Sequence, residues 1–124
     1  MPVSYAIDAE RHLIRTVCTR DTTLLEVIGH FRELEALPSL PTPLHVYLDL
    51  TEIESLPDLR KLLSVADATG SLVPTVRWGA LAIVASADVV FGVGRMYQAL
   101  VERYFERVMV FRDAAEAEVW LDNG

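Results

Sequence analysis

The sequence is short of cysteine, of positive charge and of long apolar runs, and each shortage closes off a class of protein. Its 124 residues include one cysteine, Cys18. No internal disulfide can form, and a reducing cytoplasm is the natural setting. Against 18 Asp and Glu there are 11 Lys and Arg, a formal net charge of −7. That balance argues against a broad electrostatic footprint for nucleic acid or an anionic membrane. The longest apolar run, Gly79 to Ala85, is far too short to cross a bilayer, so no stable membrane insertion is expected. The opening residues MPVSYAIDAERHL lack a basic stretch followed by a long apolar run, and no secretory signal is expected. Internal repeats and low-complexity tracts are missing too.

What is there suffices for a core. Hydrophobic residues make up 52% and charged residues 23%, which argues against extensive disorder. The length fits one domain spanning 1–124. A chain of that size buries roughly two thirds of its unfolded surface without staples.

Periodicity divides the chain into nine elements. Tyr5 to Asp8 and His12 to Cys18 read as short strands joined by a tight turn at Ala9-Glu10-Arg11. Thr23 to Leu37 reads as a helix. Thr23 and Glu26 have capping-box spacing, and Leu24, Val27, Ile28, Phe31 and Leu34 share one face. Pro38, Pro41 and Pro43 then stop it. Val46, Leu48 and Leu50 alternate through a strand. Ser55 can cap a second helix, with Pro57 in its first turn and a stripe of Leu56, Leu59, Leu62, Leu63 and Ala66. Trp78 to Ala85 resembles a buried central strand. Ser86 can cap a third helix, with Val89, Val93, Met96, Tyr97, Leu100 and Val101 inward and Gly92 and Gly94 permitting close packing. Val108 to Arg112 makes another strand. Asp113 and Glu116 have the spacing to cap a last helix facing inward through Ala117, Trp120 and Leu121. The order β-β-α-β-α-β-α-β-α favours an α/β sheet of about five strands with four helices and right-handed crossovers.

Three segments carry a family resemblance: VYLDLTEIE at Val46 to Glu54, ALAIVASADVVFGVGRMYQALVE at Ala80 to Glu102, and RVMVFRDAAEAEVWL at Arg107 to Leu121. With them the chain resembles STAS domains and their SpoIIAA-like and CRAL-TRIO-like relatives over nearly its whole length. The resemblance implies a mixed sheet with helices mainly on one face, and partner binding rather than catalysis. In anti-sigma-factor antagonists of this kind a kinase phosphorylates a serine at the start of the second helix, commonly within Asp-Ser-Ser-Gly. Here the corresponding residues are Glu54-Ser55-Leu56-Pro57, so the Ser-Gly signature is missing.

Candidate chemistry concentrates at that junction. Phosphorylation of Ser55 would place strong acceptors at a helix N-terminus, but Glu52, Glu54 and Asp58 would repel the added charge. A plain helix cap is the simpler reading. Thr51 could be modified or could close the strand-end turn. Asp49, Glu52, Glu54 and Asp58 match no calcium-loop spacing and read as a solvated acidic rim. His12, His30 and His45 sit on separate elements without metal-motif spacing, and His30 is expected to point to solvent. Cys18 reads as a small strand hydrophobe. Gly92-Val93-Gly94 lacks the third glycine of a phosphate loop, and Arg95 reads as a surface residue over an apolar seam. No cofactor or metal is expected.

Two functions follow. The first is a non-enzymatic, cytoplasmic interaction domain that meets an unknown protein partner through Asp49, Thr51, Glu52, Glu54, Ser55 and Asp58, and could also form a homodimer. The second is a domain that holds a small apolar or lipid-like ligand between sheet and helices, near Phe91, Met96 and Tyr97.

Overall fold

The computed structural model describes residues 3–20, 22–37, 39–53 and 58–123. Five strands and four helices follow in the expected order: β1 (Val3–Asp8), β2 (Leu13–Cys18), α1 (Leu24–Ala36), β3 (Leu44–Asp49), α2 (Leu59–Ser71), β4 (Trp78–Val84), α3 (Asp88–Val101), β5 (Arg107–Phe111) and α4 (Ala114–Asp122). A short 3-10 turn, Glu102–Tyr104, leads from α3 towards β5. The strands form one mixed sheet in the spatial order β1-β2-β3-β4-β5. The β1–β2 pair is antiparallel, with Val3 opposite Cys18, and β2 to β5 run parallel. The hairpin turn is one residue longer than expected, because His12 adopts φ 53° and cannot belong to a strand. Asp8 Oδ1 closes that turn by accepting from the amides of Glu10 and Arg11 at 3.1 and 3.3 Å.

Because each parallel strand is added beside the last in one direction, crossovers of one hand put their helices on one face. α1, α2 and α3 form that front layer, packing side by side over Ile14, Val46, Leu81, Ile83 and Val110. α4 alone covers the back, against Leu13, Tyr47, Ala82 and Val84. Successive strand residues point to opposite faces, so Leu13 and Ile14, or Leu81 and Ala82, feed different cores. This is why all seven residues of β4 are buried. Ala117 is fully buried under α4, with Trp120 and Leu121 packed beside it, as the sequence indicates. Arginines fasten this helix. Arg15 pairs with Glu118, and Arg11 meets Asp122 at 2.5 Å. Arg107 stacks 4.0 Å from the Trp120 ring while donating to the Trp120 carbonyl at 3.1 Å.

The caps are partly those expected. Thr23 and Glu26 form a complete capping box at α1. Asp113 caps α4, accepting from the Ala115 amide at 2.8 Å. At α2, however, the cap is Asp58, whose carboxylate accepts from the Lys61 amide at 2.9 Å. Glu54, Ser55, Leu56 and Pro57 lie outside the described residues. At α3 the N-cap position belongs to Ala87, which has no side-chain acceptor, and Ser86 stands one residue too early. Arg112 instead ties this end down, reaching Asp88 at 2.6 Å.

Two helices are rotated from their expected faces. α2 buries Leu62, Ala66 and Thr69, which leaves Leu59 and Leu63 exposed. α3 buries Val90, Gly94, Tyr97 and Val101, which leaves Val89 and Met96 outward. The cause on α3 is Gly94. A Cβ there would sit 3.1 Å from Val110 and 3.4 Å from Ile83, so the missing side chain sets the distance between helix and sheet. Gly92 faces open space and plays no such part.

Candidate functional site

The front core is not filled. Between the sheet and α1, α2 and α3 lies a cavity of about 510 Å³, within the range of small-molecule sites. Strands β2, β3 and β4 supply its back wall through Ile14, Thr16, Cys18, Val46, Leu48 and Leu81. The helices supply Val27, Phe31 and Leu34 from α1, Leu62 and Val65 from α2, and Val90, Val93 and Tyr97 from α3. Trp78 and Phe105, stacked with centroids 5.1 Å apart, close the deep end. The exposed lining residues Arg20, Thr23 and Lys61 all sit where strands end and helices begin, so that end is the mouth. Open α/β sheets bind ligands at this same end, beyond the carboxyl ends of their strands.

The charged residues on the cavity lining are opposite in sign to the net charge of the chain. The protein carries a net charge of −7, yet Arg20 and Lys61 are the charged side chains lining the mouth, and no described carboxylate belongs to the wall. Lys61 is the one lysine in the sequence.

Polar atoms inside are few. Thr16 Oγ1 and His30 Nε2 approach to 3.4 Å, a long contact. His30 is only 9% exposed, and its Nδ1 is buried without a partner among the described residues. Burial lowers the His30 pKa below the ordinary histidine value, against the pull of Glu33, so the ring is neutral at neutral pH. The expectation that His30 points to solvent is therefore corrected. Val27, His30, Phe31 and Leu34 occupy one stripe at i, i+3, i+4 and i+7, and this spacing was the available signal. A pattern built only from apolar residues passes over it. Tyr5 packs on the ring at 4.9 Å.

Deeper in, Thr69 Oγ1 donates to the Val65 carbonyl at 2.9 Å. Its single proton is thus committed, so the Tyr97 hydroxyl is the donor in their 2.7 Å contact. Burial pushes the Tyr97 phenol up to about 12, outweighing that hydrogen bond. Burial, with Asp49 nearby, pushes the Cys18 thiol up to about 11. Cys18 therefore keeps its proton at neutral pH and packs as the small hydrophobe its sequence context indicates.

Of the three residues expected near an apolar pocket, Tyr97 belongs to this wall and Phe91 and Met96 do not. Met96 faces outward, and Phe91 packs under the Arg112 guanidinium, 4.3 Å from its ring centroid. The acidic junction is engaged locally. Asp49 Oδ1 accepts from the Thr51 amide at 2.8 Å and from its hydroxyl at 2.7 Å, closing the strand-end turn. Asp58 is spent on its cap, and Glu52 and Thr51 are exposed. Glu54 and Ser55 lie outside the described residues. Among the described residues no three His, Cys, Asp or Glu side chains converge as a metal site, and no helix is long and apolar enough to cross a membrane.

No known family model matches the chain, and neither the curated proteins nor the solved structures contain a match.

Proposed function

We propose that this protein is a binding domain for a small apolar or amphipathic molecule, carried on a STAS/SpoIIAA-like frame. One observation carries the reading: the front core keeps about 510 Å³ open where interiors of this size are ordinarily close-packed. An empty apolar space forfeits dispersion contacts along its whole lining, so its persistence in a small domain is best explained by an occupant. The mouth at the strand ends and the cationic residues there suit a ligand with an apolar body that enters from that side. The element order and the layer of three helices on one face support the frame. Contact with a protein partner through the β3–α2 junction has less behind it, because Asp49 and Asp58 are occupied by local hydrogen bonds.

Native mass spectrometry of gently purified protein tests the function. The expected result is a retained adduct of defined mass that organic extraction removes. A clean unliganded mass, together with no binding of added apolar probes, rejects the reading.

A further inference from the structure

The polar atoms of the cavity wall restrict which apolar molecule fits. A neutral imidazole has one N–H and one bare nitrogen, and a hydroxyl has one proton and can also accept. Thr16 and His30 share a single contact, between Oγ1 and Nε2, and Nδ1 has no partner among the described residues. If Thr16 donates to Nε2, then Nδ1 carries a hydrogen sealed away from any acceptor. If Nε2 donates to Thr16, then Nδ1 is a bare acceptor and the Thr16 hydroxyl proton is left over. Each state leaves one donor unmatched, but the Nδ1 hydrogen of the first is buried out of a ligand's reach, whereas the Thr16 hydroxyl of the second belongs to the cavity wall, so the second is the state an occupant completes. In that state the unmatched donor is the Thr16 hydroxyl, a residue of the cavity wall. No other partner for that hydroxyl exists among the described residues.

At the other polar position the protons are already spent. Thr69 donates to the Val65 carbonyl and Tyr97 donates to Thr69. Tyr97 oxygen can therefore accept but not donate. Inside the mouth, the described residues thus offer one unmatched donor in an apolar surround.

We propose that the cavity selects apolar molecules bearing a hydrogen-bond-accepting oxygen within their body, as a ketone or alcohol does, and that Thr16, oriented by His30, donates to that oxygen. This rests on the reading of the cavity as a ligand site and goes further by naming the ligand class.

A matched pair of probes decides it. 2-Acetylnaphthalene and 2-ethylnaphthalene have nearly the same shape and differ in the carbonyl oxygen. Titration of each, followed by NMR and by Trp78 fluorescence, should give about tenfold tighter binding of the ketone, as one neutral hydrogen bond supplies. Thr16→Val should bring the ketone down to the level of the hydrocarbon while leaving the hydrocarbon unchanged. Thr16→Ser, which keeps the donor, should restore the preference. Equal affinity of the two probes for the unmodified protein overturns the donor assignment while leaving the ligand cavity standing. Binding of neither probe overturns both. The comparison within the unmodified protein does not depend on any variant folding.

Discussion

Burial holds the His30 and His45 imidazoles below the ordinary histidine value, and that has a consequence for stability. Both rings take up protons more readily in the unfolded chain than in the folded one. Stability is therefore complete above the unfolded pKa of about 6.5 and declines as pH falls from there through the lowered folded values. His45 has a specific reason to stay neutral: its Nδ1 accepts from the Ala80 amide at 2.9 Å. That bond fills the break in register where Leu44 pairs with Trp78 but Val46 pairs with Leu81. Gly79 leaves room for the ring, since a Cβ there would lie 2.7 Å from His45 Cε1. Urea unfolding at a series of pH values should show a slope that begins near pH 6.5, of at most about 1.4 kcal/mol per pH unit for each full proton. His30→Phe should flatten part of it. An unchanged slope in that variant would mean that His30 is not held neutral. Glu118 acts in the same direction lower down. The Arg15 hydrogen bond holds its carboxyl below the usual range, so its contribution is lost only as pH falls below about 4.5.

At the scale of the element, the caps separate what local sequence dictates from what packing decides. Thr23 with Glu26 and Asp113 with its following amides are short-range chemistry, and both are visible in the residues alone. Asp58→Ala and Thr23→Ala should each cost about 1 kcal/mol in urea unfolding, whereas Ser86→Ala should cost close to nothing. A large loss at Ser86 would contradict Ala87 as the cap position. The order of elements was readable because every helix and strand has a strong period and β4 is a continuous apolar run. Four things were not readable. α3 turns on Gly94, a residue that has no hydrophobicity to count. α2 presents Leu59 and Leu63 to solvent because its inward line passes through Ala66 and Thr69, which are small or polar. His30 shares the inward stripe of α1 by spacing, but a pattern counted from apolar residues passes over it, and the Tyr5 ring that packs on it comes from β1, a long-range contact. Tyr97 was legible as a wall residue, but Thr16 was not, because an alternating strand assigns a threonine to either face with equal ease.

For the whole molecule, the two sides of the sheet differ in kind. The back is a smaller core under α4, stapled by Arg11, Arg15 and Arg107. The front is larger and unfilled. Adding bulk to the front should therefore stabilise rather than strain the protein. Val93→Phe, which places a ring in the cavity from α3, should raise the melting temperature by the few degrees that about 1 kcal/mol brings to a domain of this size. The same variant should abolish binding of 2-acetylnaphthalene. A lowered melting temperature would indicate that the space closes in solution. A comparable substitution at Ala117, which is fully buried under α4 and does not line the cavity, should destabilise by about 1–3 kcal/mol.

Lys61 gives the mouth an address of its own. With a single lysine in 124 residues, and that one exposed on the lining of the cavity, an amine-directed dye meets one side chain in the sequence. With the more reactive α-amino group blocked first, a reporter can thus be seated at the threshold without altering a residue, and its brightness would register each arrival and departure there.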